Sequence, residues 1–451
     1  MMRVLLSVCV LLFGSGFGEP CWGEEIWIDQ ERGDDAAAGS REHPLATFSA
    51  GIANLKPGMT LHVEPGKKPW PGEIRITASG TAEAPVIVDG HGSLVSGRRP
   101  LTEAEWNQET DGTYSRKLPN NAWGMESHWE GGFPLVWFDG EAAKNVSNRD
   151  DLKPGSYFLS KNRKLGKEDP LHNTLFIQLP EGKAFADVQV EAIAMEGGIF
   201  VGGNHVIVRN FITEYGGRDG YSTHRNQGVV FENVEARFFM DQGMSHHGAE
   251  AIVRNSHFHH NAGGGIVDVY PEAKVRYENC LIEADTWRGG VEFHKGEFEM
   301  HDCVIRANSK AAISVAKGAK VRLVGCQFIG TEDGDSRGLS LAADSRLKIE
   351  NCSFSGFTSG LSAILTKGTK LDLENARFSK SSYLQVTVKR FAEDASSPFQ
   401  PMVSFENLQF PDGAFIIRSM TQDPANQGWK VREQHFSSNE MAEFVAALEN
   451  S

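Results

Sequence analysis

After its opening residues the chain has no apolar run long enough to cross a bilayer. A spanning helix needs ~18–20 such residues, whereas the longest stretch among the 451 positions is residues 4–13. Basic residues are also in deficit, 45 Lys and Arg against 59 Asp and Glu, for a formal net charge of −14. That balance excludes the diffuse positive field by which proteins hold nucleic acid, and an acidic ligand must instead find a local group of cations. Cysteine is sparse at six residues, with Cys9 inside the apolar opening segment and Cys21 close behind it, so a disulfide-dense small scaffold is excluded. Glycine is not scarce: 48 residues suit a fold with many tight turns.

The first 23 residues read as an export signal. Arg3 supplies the positive charge, residues 4–13 the apolar core, and small residues follow through Gly18 and Gly23, with cleavage expected between them. The apolar stretch is too short for an anchor, and Cys21 lacks the surrounding pattern of a lipid attachment site. The expectation is a secreted protein, periplasmic or extracellular, with no membrane span.

A length of 451 residues exceeds what one ordinary domain of ~150 requires, and the sequence resolves this by repetition. A polar position follows a short β-branched or aromatic run at Asn210, Asn233, Asn255, Asn279, Asp302, Gly325, Asn351 and Asn375, about every 22–26 residues, the period of a solenoid. Its successors, Phe211, Val234, Ser256, Cys280, Cys303, Cys326, Cys352 and Ala376, are small or apolar as an inward column requires. Those cysteines are therefore read as buried thiols, because stacked coils give them parallel Cβ vectors unsuited to disulfides. A second column, Gly198, Gly220, Gly243, Gly265, Gly290, Ala312, Gly338 and Gly360, opens a short strand in each coil. The first strand residues are Ile199, Tyr221, Met244, Ile266, Val291, Ile313, Leu339 and Leu361, apolar throughout. They point inward, so positions two and four point outward. Coils stacked ~4.8 Å apart turn such positions into columns, and a column of Asn can form an amide ladder.

This pattern resembles the pectin-lyase-like superfamily of right-handed parallel β-helices, over roughly residues 190–410. The stretch from Ile26 to Gly66, with a helix expected over residues 45–55, is similar to that family's N-terminal cap, and GTAEAPVIVDGHG to its first coils. The resemblance implies an all-β solenoid with a cap helix. The sequence matches neither the Lys and Arg arrangement of alginate-type or chondroitin-type lyases nor the paired aspartates of the polygalacturonase type, so no catalytic role is carried over. The organisation expected is a signal at 1–23, cap and first coils at 24–100, a β-rich insertion with Trp123 and Trp129 at 101–190, the main helix at 191–410 and a C-terminal cap at 411–451. In that cap, Ser437 and Glu440 form a capping box for a short final helix.

Chemistry is expected on the central coils. Outward positions there are Ser222 and His224, Ser245 and His247, Val267 and Val269, then Glu292 and His294, with Arg218, Asp219, Asp241 and Arg288 on the turns leading in. Seven of the 15 histidines fall within about three coils, although a soluble face is polar in any case. His246 and Asp268 break the inward apolar rule: either they pair in the core, or a bulge turns them out. Three chemistries fit. Carboxyl pairs drawn from Asp219, Asp241 and Glu292 suit glycoside hydrolysis, where ~5 Å gives retention and ~6.5–9.5 Å inversion. His224 or His247 as base, with Arg218 or Arg288 facing a uronate, suits β-elimination. His257, His259 and His260 with His247 or Asp268 suit a divalent ion, though the spacing is no standard zinc motif; no other cofactor is expected. The reading is a monomeric, exported glycan-cleaving enzyme, a glycoside hydrolase or polysaccharide lyase, whose partner is a polysaccharide or oligosaccharide. Ser222, Ser245 and His294 assist Arg218 and Arg288 in binding it. The alternative is a solenoid that holds glycans without cleaving them.

Overall fold

In a computed structural model the chain is described over residues 24–118, 133–160, 174–195, 197–284, 289–307, 311–331, 336–391, 402–410, 413–422, 429–437 and 439–449. The expected export signal, Trp123, Trp129 and Arg288 lie outside the described residues. The protein is a right-handed β-solenoid of about 12 turns. The short strands stack in parallel as a front sheet running from Ile74–Ile76 and Ile199–Val201 through Tyr221–His224, Met244–His247, Ile266–Val269 and Val291–His294 to Ala414–Gln422, where Trp429–Ser437 closes it antiparallel. The other strands of the coils form a 19-stranded parallel sheet that wraps the remaining sides.

Register follows the two sequence columns. Ile199 pairs with Tyr221, Tyr221 with Met244, Met244 with Ile266 and Ile266 with Val291, and all five are buried. At the bend between the two back faces, the Asn column takes the left-handed conformation, for example Asn210 at φ 59°, Asn255 at 53° and Asn351 at 57°. Asn tolerates this region better than most residues because its short side chain bonds locally. Amide ladder bonds join several of these neighbours: Asn233 donates to Asn210 at 2.8 Å, Asn279 to Asn255 at 2.9 Å and Asn375 to Asn351 at 3.0 Å. Asp89 starts it by accepting from Asn210 at 2.8 Å.

Behind the ladder, Cys280, Cys303, Cys326 and Cys352 are buried free thiols. Hydrogen bonding to its neighbours Cys280 and Cys326, together with burial, pushes the Cys303 thiol above its ordinary range. Further along the core, Phe328, Phe354 and Phe378 stack at 4.5 and 4.7 Å between centroids.

Both ends of this core are covered. The N-terminal helix is shorter than the sequence suggested, Phe48–Ala53, because Thr47 caps it by accepting from the Ala50 N–H while Leu45 is held in a bridge to Ile28. At the far end Glu440 accepts from the Ser437 N–H at 2.7 Å, and the helix Met441–Glu449 seats Phe444 on Phe415, 4.6 Å between centroids.

Between the first coils and the main stack the period is lost. Arg98–Leu101, Val136–Phe138, Glu141–Ala142 and Val190–Ile193 make one small antiparallel sheet. Tyr114–Lys117, Ser156–Ser160 and Thr174–Gln178 form the antiparallel centre of another. These sheets have their own core, which also takes in Met240 and packs against Tyr215 and Phe238, residues on the solenoid turns that lead into the front sheet.

Candidate active site

Alternation along the front strands decides what reaches solvent. In Tyr221–His224, Tyr221 and Thr223 are buried while Ser222 is half-buried and His224 exposed. His224 pairs in register with His247, and the two imidazoles lie face to face, 4.4 Å between centroids and 4° between planes. Phe200 meets His224 edge-on at 5.3 Å, and Tyr270 meets His247 at 5.6 Å. Burial pushes the His247 pKa down to about 4, aided by the neighbouring His224. Burial, then Arg218, Arg225 and Arg75, lowers that of His224. Both rings are therefore neutral at pH 7, each with a lone pair for accepting a proton.

Beside His224 the surface folds into a cleft of about 120 Å³ lined by Glu73, Arg75, Phe200, Arg218, Asp219 and Ser222 among others. Enclosed pockets for drug-sized ligands run to ~300 Å³ or more, so this cleft suits part of a chain that continues beyond it. The Arg75 guanidinium stands 5.5 Å from the Phe200 ring centroid and 3.0 Å from Glu73 Oε1. Sequence reasoning missed Glu73, Arg75 and Phe200. The rung Ile74–Ile76 pairs directly with Ile199–Val201, but the insertion separates the two by more than a hundred positions. The only signal for it was the Ile-Arg-Ile alternation after Gly72.

The remaining expected residues fall into two groups. Asp219 lines the cleft and accepts the Gln242 backbone N–H at 3.3 Å, while Asp241, one coil on, accepts the Gln242 side-chain amide. A single glutamine thus ties the two acids together, with Gly263 backed closely against Asp241. Glu292 and His294 form a separate pair, 3.8 Å apart. The rung of Val267 and Val269 stands between them and the stacked histidines. Two rungs of ~4.8 Å take Glu292 about as far from Asp241 along the axis as the ~9.5 Å upper bound for an inverting pair, before any sideways offset.

Ser245, expected to face substrate, is 1% exposed. Its hydroxyl donates to the Val267 carbonyl at 3.0 Å and lies 3.1 Å from His247 Nε2, so it holds the histidine rather than a ligand. His246 and Asp268 pair inside the core: His246 Nδ1 lies 2.8 Å from Asp268 Oδ1, and the Tyr277 hydroxyl donates to Asp268 Oδ2 at 2.6 Å. His257 and His259 occupy a back-sheet strand, away from His247, and the sealed Asp268 completes no set with them.

Residues 197–354 match the family model for the right handed beta helix region. Among solved structures, a complex of XylC with xylose is similar at 12% identity and a TM-score of 0.54, covering 81% of this chain and 69% of that one. A pectate lyase is similar at 11% identity with a TM-score of 0.47, covering 87% and 79%, and a glycoside hydrolase at 12% and 0.42, covering 87% and 96%. Among curated proteins none matches this sequence. The likeness to the XylC complex shows the fold.

Proposed function

We propose that this protein is an exported, monomeric polysaccharide-cleaving enzyme that works at the front-sheet cleft, and that its reaction is β-elimination beside a uronate. The observation that carries this reading is the convergence of Arg75 and Arg218 with a neutral His224 in one cleft. In elimination, a base removes the proton next to the uronate carboxyl, the bond to the glycosidic oxygen breaks, and a carbon–carbon double bond forms. The leaving oxygen collects a proton from solvent. Arg218 and Arg75 neutralise the carboxylate, which makes the adjacent proton easier to remove, and His224 receives it. Phe200 offers an apolar surface for a sugar face, and Ser222 a hydroxyl for its edge. The chain's net acidity does not oppose this, because the cations are local.

Hydrolysis is the second reading, and one observation favours it: Glu73 and Asp219 line the same cleft, as the two carboxyl groups of a glycosidase do. A panel of acidic and neutral polysaccharides separates the readings. New reducing ends with ultraviolet absorbance from unsaturated sugars support elimination, and reducing ends without it support hydrolysis. Binding with neither would make the protein a glycan-holding solenoid and overturn both. His224→Gln is expected to lower kcat at least a hundredfold with a small change in KM.

A further inference from the structure

We infer that the back sheet carries a second site, independent of the front cleft: a divalent transition-metal site formed by Glu235, His257 and His259. Glu235 and His257 are register partners on adjacent coils, and His259 follows two residues along the same strand, on the same face. One potential ligand atom from each residue lies within 4.8 Å of the others. His259 Nε2 is 3.2 Å from Glu235 Oε1, near the ~3.3 Å edge of a tetrahedron with metal bonds of ~2.0–2.1 Å. The two imidazoles stack at 4.2 Å between centroids, which keeps both rings beside the same carboxylate.

Groups outside this trio are placed to select the tautomers that coordination needs. His257 Nε2 lies 2.7 Å from Glu283 Oε2, and His259 Nδ1 lies 2.6 Å from His260 Nδ1. If the first donates to the carboxylate and the second to the neighbouring imidazole, the nitrogens left with lone pairs are His257 Nδ1 and His259 Nε2. Metal-bound histidines are held by outer partners in this way. Arg237 donates to Glu235 Oε1 at 2.9 Å, the same oxygen that faces His259, and holds the carboxylate in place beside the two rings. Two imidazoles and one carboxylate favour Zn²⁺, Co²⁺ or Ni²⁺ over Ca²⁺ or Mg²⁺, and three protein ligands leave a position for water. Among the described residues the other cluster of ligand-type side chains, His62, Asp89 and His91, is a poorer candidate because Asp89 is buried with both oxygens engaged, one by Arg209 and the other by Asn210 and the His91 N–H, whereas the bonds to Glu235 from Arg237 and His259 fall on a single oxygen.

The test is titration of the chelator-treated full protein with Co²⁺, followed by visible absorption, with Zn²⁺ competition and equilibrium dialysis for stoichiometry. One equivalent is expected to bind, and His257→Gln, His259→Gln and Glu235→Gln each to weaken binding at least tenfold, while His62→Gln and His224→Gln leave it unchanged. Zn²⁺ is expected to raise the melting temperature of the wild type and not of the His259→Gln variant. All three ligands are partly exposed, and far-ultraviolet circular dichroism verifies that each variant is folded. No saturable uptake, uptake indifferent to the three substitutions, or uptake lost with His62→Gln or His224→Gln would overturn the assignment.

Discussion

Beneath the front face, His246 and Asp268 stand where neighbouring coils carry Phe293, Val315 and Leu341, and with Tyr277 from the back sheet they make a polar triad whose every member is sealed from solvent. Removing one donor from such a group leaves an acceptor buried without compensation, at a cost of ~1–3 kcal/mol. Tyr277→Phe is accordingly expected to lower unfolding free energy by about that amount, measured by urea denaturation at neutral pH. A loss below ~0.5 kcal/mol would mean that the hydroxyl bond contributes little. Directly outside the triad, His247 has a folded pKa of about 4 against an ordinary 6.5. The unfolded chain therefore binds the proton first, so folded stability is full above about 6.5 and declines as pH falls toward 4. The melting temperature should drop across that window, and less steeply in His247→Gln. A wild-type curve flat over the window would contradict the depressed value.

The Asn bend is the element that repeats, and two physical demands meet in it: a left-handed backbone and a partner for the next amide. They can be separated at Asn279, with φ 51° and a 2.9 Å bond to Asn255. Asn279→Gly keeps the backbone and loses the bond, costing about 1 kcal/mol, whereas Asn279→Ala adds ~1–2 kcal/mol for the left-handed conformation. Urea midpoints should rank wild type above Gly above Ala. This element was legible because a left-handed bend admits few residue types, here Asn with Asp302 and Gly325, and recurs once per coil. The front-strand register was legible for the same reason, through the glycine column and the apolar residue after it. What the repeat did not carry was how exposed each outward position is: Ser245 and Ser222 occupy equivalent places, yet only Ser222 reaches the cleft. Nor did it reach Glu73 and Arg75, whose coil is cut from its neighbour in sequence though not in space.

For the whole molecule, the solenoid and the antiparallel insertion have separate cores that meet at the turns bearing the acidic residues. Met240 belongs to the insertion's core and is the immediate neighbour of Asp241. Tyr215, which packs on Trp137 at 4.9 Å between centroids, stands just ahead of Arg218 and Asp219. The stack of coils fixes how high each acid sits, but its aim is set from the side by a body with a core of its own. Gentle heating should therefore silence turnover several degrees before the coils come apart, seen as an activity midpoint below the circular dichroism midpoint. Coincident midpoints would show that the two bodies melt as one. If they separate, exchanging this flank while leaving every coil untouched becomes a route to retuning what the cleft accepts.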